Sequence, residues 1–364
     1  MRNACPRWRV VTVLVALTCL ARAPRADGQS LSRLSLDSVS AIDLFKGDGT
    51  TGNPGASLDI SSVIRLGGGW SAHVRPWFFK SSADGSEWSR ELYQAALRYE
   101  RAGRRSVRLD AGYIASPIGL GMLDMRADIN PTIQPHLSYF VPLMPFDRAA
   151  PRVGAITASY PLGANLTVSS RKWDARAALV NAAPTRRYAF NSKYGNPAST
   201  PFGIVGGGIS PATGLRLGAS FGAGRYATRE ESADALGVAR QLTMWTIEGE
   251  YAFGYTKVSA EVTHERFDRV IAHDVSTTWF VQGTHTLTPR WFAAGRHEAI
   301  AAPPMAIATA GAPRLRFRTT EGSAGYRAHP EITLRASVAV VRWYTAPVSD
   351  VRVGAQLVWS RRWW

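Results

Sequence analysis

Glu331-Ile332-Thr333-Leu334-Arg335-Ala336-Ser337-Val338-Ala339-Val340-Val341 has two faces. Ile332, Leu334, Ala336, Val338 and Val340 recur at every second position, and Glu331, Thr333, Arg335 and Ser337 fall between them. Side chains of an extended strand point alternately to opposite sides, so a period of two places apolar groups on one face and polar groups on the other. The last strand repeats the pattern, with Val351, Val353, Ala355, Leu357 and Trp359 set against Arg352, Gly354 and Gln356. A tilted strand needs ~9–11 residues to cross a bilayer, and strands of soluble sheets are usually ~5–6 residues long. The length and the period together point to a strand that crosses a membrane.

Working back toward the N-terminus, the same segments recur between Gly-, Pro- and Asn-rich connections, and helical periodicity is nearly absent. The connections alternate short and long. Gly67–Gly69, Ala102–Arg104, Ser210–Ala212, Phe253–Gly254, Thr288–Pro289 and Ala328–Pro330 are short. Segments 81–89, 116–150, 182–201, 225–239, 268–274, 300–313 and 344–349 are longer. Outer-membrane barrels have this asymmetry, with tight periplasmic turns and long external loops. The parity predicts sixteen strands, at 33–45, 57–66, 70–80, 90–100, 105–115, 152–160, 165–181, 202–210, 213–224, 240–252, 255–267, 275–286, 290–299, 314–326, 331–343 and 350–361. The expected fold is all-β, a transmembrane antiparallel β-barrel with both ends on the periplasmic side. In 153–181, Tyr160-Pro161-Leu162-Gly163 and Arg171-Lys172 compete for the tight reversal.

Composition agrees with an exported barrel. Hydrophobic residues make up 45% and charged residues 19% of the 364 positions, too apolar for disorder and too polar for a helical bundle in lipid. Val10–Leu20 is too short to span. It follows Arg2, Arg7 and Arg9 and precedes Ala21, Ala23 and Ala26, so residues 1–26 read as a secretory signal and 27–364 as the barrel. An Arg-rich transit peptide is the alternative. Cys5 and Cys19, the only cysteines, both lie in this leader, so the remainder has no disulfide framework and no thiolate site. Removing the leader's five arginines lowers the net charge from +16 to +11. For an exported chain that excess suits lipid or anionic solutes, not nucleic acid.

Aromatic residues cluster at strand ends. Trp70, Tyr99, Tyr160, Phe253, Tyr255, Trp291, Tyr326 and Trp359 flank short turns, and Tyr113, Tyr226, Trp343 and Tyr344 flank long ones, as two interfacial girdles would. The chain closes on Trp359-Ser360-Arg361-Arg362-Trp363-Trp364. With this architecture and an aromatic C-terminus, the chain resembles a bacterial outer-membrane porin of the sixteen-stranded kind. Porins usually end in Phe with apolar residues at alternate positions before it. Here that register gives Arg362, Ser360, Val358 and Gln356.

The polar faces carry arginine on strand after strand: Arg65, Arg75, Arg98, Arg108, Arg176, Arg216, Arg314, Arg316, Arg318, Arg335 and Arg352. Arginine facing lipid costs ~2–4 kcal/mol at the midplane, so an inward, pore-lining position is expected for each. Rings of arginine select anions. Asp59, Glu100, Asp110, Glu248, Glu250 and Glu261 offer a balancing charge. Segment 116–150 holds Met122, Met125, Leu137, Phe140, Leu143 and Phe146, too apolar for a loop left in water. The resemblance implies a constriction loop at this place, with Asp124, Asp128 and Asp147 facing arginines across a narrowed pore. A plug or an external lid is the alternative. The resemblance also implies homotrimers, assembly-machinery recognition of the C-terminus, and passive diffusion of small polar or anionic solutes.

No catalytic residue, metal site or cofactor is expected. Gly218-Ala219-Ser220-Phe221-Gly222 matches a nucleophile-elbow pattern but sits inside an alternating strand. The seven histidines show no paired ligand spacing. A lipase-like barrel enzyme and a non-conducting adhesive barrel are the competing functions.

Overall fold

The first and last strands of the chain are hydrogen-bonded to each other. In the computed structural model, which describes residues 33–47, 54–80, 88–120, 126–140, 161–185, 200–228, 240–268, 273–302, 315–343 and 349–363, Asp37 pairs with Arg362 and Gly47 with Arg352. This contact between β1 (Leu34–Gly47) and β16 (Ser349–Arg362) closes a barrel of sixteen antiparallel strands, each bonded to its neighbours in sequence. Closure leaves no sheet edge, which in lipid would expose backbone groups that nothing could satisfy.

The strands between are β2 (Pro54–Gly67), β3 (Trp70–Lys80), β4 (Ser89–Arg101), β5 (Ser106–Tyr113), β6 (Leu162–Ser169), β7 (Trp173–Val180) and β8 (Phe202–Ala212). They continue with β9 (Leu215–Ala227), β10 (Arg240–Phe253), β11 (Thr256–Asp268), β12 (His273–Thr286), β13 (Trp291–Ala302), β14 (Leu315–His329) and β15 (Ile332–Trp343). Most ends fall within three residues of the sequence reading, and the count of sixteen agrees. The exception is the sixth and seventh strands. The reversal lies at Arg171-Lys172, where Ser170 N–H donates to the Trp173 carbonyl at 2.7 Å, so the segment read as one strand is β6 and β7. Pro161 stands just before β6, its carbonyl accepting Ile114 N–H. The strand expected at 152–160 lies outside the described residues.

The faces segregate as the period of two demands. On β15, Leu334, Ala336 and Val338 are exposed, while Arg335, Ser337 and Ala339 are buried. On β16, Val351, Val353, Ala355 and Leu357 are exposed against buried Gly354, Gln356 and Val358. Ile247, Val205, Ile209, Leu217, Phe221 and Val281 carry the exposed apolar face around the barrel. Such a surface belongs in lipid, so polar side chains point inward.

Local chemistry shapes the ends. Gly214 turns β8 into β9 at φ +81°, where a Cβ would strike the Ala252 carbonyl. Pro76 inside β3 cannot donate to the ladder, and the register shifts there, leaving Tyr93 of β4 to stack on Trp77 at 4.7 Å. At the short-turn end Trp70 meets Tyr99 and Trp291 meets Tyr326 in tilted contacts. At the other end one girdle residue differs from expectation, and Tyr344 lies outside the described residues. Tyr226 is buried, edge-on to Phe267, because it points inward at the end of β9.

Candidate functional site

The barrel interior is identified by its burial. Along β10, Leu242, Met244, Thr246 and Glu248 are buried, and Trp245 and Ile247 between them are exposed. The connection that leaves β5 enters this interior. Ile114, Ile118 and Tyr139 pack with Tyr93, Phe202, Leu242, Met244 and Phe267. Leu137 packs with Ile300, Phe317 and Val341, and Ala127 with Val39, Ala41 and Val358. The apolar side chains of this loop therefore bury themselves against inward-facing apolar side chains of the wall.

The loop's backbone needs partners in a place with little water, and wall carboxylates supply them. Glu261 of β11 accepts Leu120 N–H and, at 2.8 Å, the Tyr139 hydroxyl. Glu298 of β13 accepts Leu137 N–H at 3.0 Å, at the start of the short helix α1 (Leu137–Phe140). Glu321 of β14 accepts both Ile133 N–H at 2.9 Å and Gln134 N–H at 3.2 Å. Between these two carboxylates lies Arg296, 3.3 Å from Glu298 and 3.5 Å from Glu321, which also donates to the Gln134 and Pro135 carbonyls. Ser323 donates to Pro131 O, and Arg335 reaches Thr132 O and Gln356. Charge-assisted bonds of this kind are about twice as strong as neutral ones. Three carboxylates and two guanidiniums thus hold Leu120 and residues 132–139 against the β11–β15 arc.

Burial changes the loop's own titratable groups. The His136 imidazole, 4.3 Å from the Phe280 ring, is held well below its ordinary pKa by burial and then by the Arg296 charge. Burial and then the Glu261 charge push the Tyr139 hydroxyl well up.

The opposite arc is charged and wetter. Arg75 pairs with Asp59 at 2.5 Å and lies over the Tyr93 ring. Arg98 and Arg108 share Asp110 at 2.6 and 2.7 Å. Arg176 donates to Ser220 Oγ at 2.5 Å and reaches Glu248 at 3.3 Å. Arg216 joins Glu248 at 2.8 Å and Asp174 at 3.1 Å. Arg75 is 23% and Arg108 45% exposed at the side chain, whereas Arg296 and Glu321 beneath the loop are at 0%. At the short-turn end a cavity of about 760 Å³ is lined by Arg171, Lys172, Arg216, Glu250 and Lys257.

Solved structures share this architecture. An anion-selective porin from Comamonas acidovorans matches with a TM-score of 0.59 at 11% identity, covering 90% of this chain and 99% of that one. Salmonella typhi OmpF, in complex with daunomycin, matches at 0.58 and 10%, covering 90% and 97%. The trimer form of OmpT, an outer membrane protein of Vibrio cholerae, matches at 0.56 and 9%, covering 90% and 99%. The fold is that of the bacterial outer-membrane porins. No protein-family model matches the chain, and no curated protein does.

Within the porin fold the arginines expected in the lumen divide into two groups. Arg75, Arg98, Arg108, Arg176, Arg216, Arg335 and Arg352 share the inward parity, most of them beside a carboxylate, and Arg65 shares the parity of Asp59 on β2. Arg316 and Arg318 do not point inward. They are exposed on the face of β14 opposite Phe317, Thr319 and Glu321. The inward positions here are apolar because Leu137 fills the lumen beside Phe317, so the rule of polar side inward reverses locally. Near a strand end an outward arginine costs only ~0–1 kcal/mol. Arg314, Asp124 and Asp147 lie outside the described residues. Asp128 pairs with Arg126 of its own loop at 2.5 Å, a bond that raises the Arg126 pKa. Arg296, Glu298 and Glu321 escaped the sequence reading. The signal available was a run of inward-register carboxylates opposite a loop too apolar for water. Ser220 of the Gly-x-Ser-x-Gly match lies within β9, in a strand and not at an elbow.

Proposed function

We propose that the chain is a bacterial outer-membrane channel for passive diffusion of small polar solutes, with a preference for anions, and not an enzyme. The observation that carries the reading is the division of the interior into two arcs. One arc, β11–β15, is covered by Leu120 and residues 131–139. The other keeps water-accessible Arg75, Arg98, Arg108, Arg176 and Arg216 in ordered ion pairs. A plug would need no wet arc, and an adhesive barrel would need no ordered charge along it. In this reading 116–150 is the constriction loop, short turns face the periplasm, and residues 1–26 direct export.

The anion preference is the finer part. Most wall arginines are neutralised by Asp59, Asp110, Asp174 and Glu248, so it rests on the short-turn mouth. There Arg171 and Lys172 add positive charge beside the cavity, while Arg216 is paired with Asp174 and Glu248 and Lys257 with Glu250. The excess of +11 beyond the leader acts in the same sense. The Comamonas acidovorans porin and the trimeric Vibrio cholerae protein support anion passage and a homotrimer as the forms to test. The test is reconstitution of the mature protein in planar bilayers under a potassium chloride gradient. Stepwise conductance with a reversal potential favouring chloride is expected. Absence of conductance would sink the channel, and a potential favouring potassium would sink the anion preference alone.

A further inference from the structure

We infer that the outer wall of β5–β9 seats an anionic phospholipid at its short-turn end, with the phosphate on Arg101, Arg104 and Arg105 and an acyl chain in the groove beside them. Arg101 is the last residue of β4, and Arg104 and Arg105 lie in the turn to β5. All three are exposed, and none is bonded to a carboxylate among the described residues. The neighbouring carboxylates are engaged on the inward face. Glu100 lies 3.9 Å from Arg98, Asp110 is shared by Arg98 and Arg108, and Asp174 bonds Arg216. Arg171 and Lys172 of the next turn line the mouth cavity. Arg105 reaches across to that turn, its Cζ 6.0 Å from the centre of the Trp173 ring. The ring attracts the charge without neutralising it. A guanidinium fork matches phosphate oxygens in pairs.

The groove is a cavity of about 600 Å³ on the outer wall. Small and large side chains alternate across the strands there. Ala164, Ala177 and Gly203 stand low between Leu166, Leu179 and Phe221. Register joins this groove to the charge. Arg101, Val107, Val168 and Ala175 are successive cross-strand partners on β4–β7, so Arg101 shares the outward face. The next outward row is Leu109, Leu166 and Ala177, which line the groove. Two residues along a strand are ~7 Å, a gap that a glycerol backbone bridges between phosphate and acyl chain. A soluble anion would answer the arginines and leave the groove empty. A zwitterionic lipid would fill the groove and leave three cations uncompensated.

The inference rests on the proposed function only in placing the barrel in lipid. The test titrates full-length mature protein, refolded in neutral detergent, with phosphatidylglycerol or phosphatidylcholine, and native mass spectrometry counts the bound lipid. Wild type is expected to retain phosphatidylglycerol in preference. Arg104→Gln/Arg105→Gln should bind it roughly thirtyfold more weakly, the loss of two charges at a lipid surface. Gly203→Leu should weaken it as well. A Cβ there meets only the Ala223 carbonyl, at 3.8 Å, so the backbone accepts the side chain and the groove is filled. Heat-modifiable gel mobility reports folding in each case. If the glutamine variant fails to fold, Arg104→Lys/Arg105→Lys keeps the charge and should keep the preference for phosphatidylglycerol. Equal retention by folded variants and wild type overturns the inference. Weakening by the glutamine variant with none by Gly203→Leu also overturns it, since charge would then act without a seat. So does displacement of the lipid by inorganic pyrophosphate, which would mark a site for soluble anions. A Gly203→Leu variant that loses oligomers while keeping lipid would assign the face to a second copy and overturn it too. Conductance without lipid preference leaves the channel standing, and preferential lipid binding without conductance leaves this site standing.

Discussion

Glu321 holds the loop through two backbone donors and one guanidinium, all of them dry. Glu321→Ala leaves Ile133 and Gln134 N–H without that acceptor and Arg296 with Glu298 as its remaining counter-charge. Breaking a buried pair from one side costs roughly 3–5 kcal/mol. Urea unfolding in lipid vesicles should show a loss of that order, and protease should begin to cut within 126–140. Glu321→Gln, which retains one carbonyl acceptor, should fall between. His136 gives this region a pH dependence. Its imidazole stays neutral when folded and takes a proton near ~6.5 when unfolded. Stability is therefore full above that value and falls as pH drops below it, by up to ~1.4 kcal/mol per unit. His136→Gln should flatten the slope of the urea midpoint between about pH 7 and 5; an unchanged slope would assign the effect to neighbouring carboxylates. These residues were hard to read in sequence because every inward polar residue of a barrel fits the same alternating pattern. Alternation separates wet from oily faces and does not tell which inward position a loop will cover.

At the scale of elements, the loop is fixed at its near end by Gly119, at φ +81°. A Cβ there would meet the Tyr139 hydroxyl and both Glu261 carboxylate oxygens. Gly119→Ala adds that clash to a left-handed backbone costing ~1–2 kcal/mol. Amide exchange should accelerate across 116–140 by about tenfold or more, while β10–β16 amides stay protected; unchanged exchange in the loop would show that other contacts hold it. The strands themselves were legible where one face meets lipid throughout, as on β15 and β16. Two places were not. Between Tyr160 and Lys172 both candidate turns have turn chemistry, and only the pairing of β6 with β5 and β7 decides. On β14 the apolar residue Phe317 points inward against Leu137, so the sign of the pattern depends on a loop nearly two hundred residues away in sequence.

For the whole molecule, the position of the unbalanced charge decides how selectivity responds to salt. The wall arginines sit within bond distance of carboxylates, and their fields largely cancel a few ångströms away. The excess at the short-turn mouth, Arg171 and Lys172 above all, faces open water and acts on ions before they enter. Fields in water reach ~10 Å at 0.1 M salt and only ~3 Å at 1 M. Anion preference set by the mouth should therefore be clear in dilute potassium chloride and fade near 1 M. A preference set inside the narrowed section, where side chains touch the permeating ion, would persist. Arg171→Glu/Lys172→Glu moves the mouth by four charge units without touching the loop or the paired wall. Reversal potentials at low salt should shift toward potassium, while single-channel conductance in 1 M salt stays close to wild type. A low-salt potential unmoved by the double variant would place the selecting charge deeper, on the arc that carries Arg75, Arg98 and Arg108.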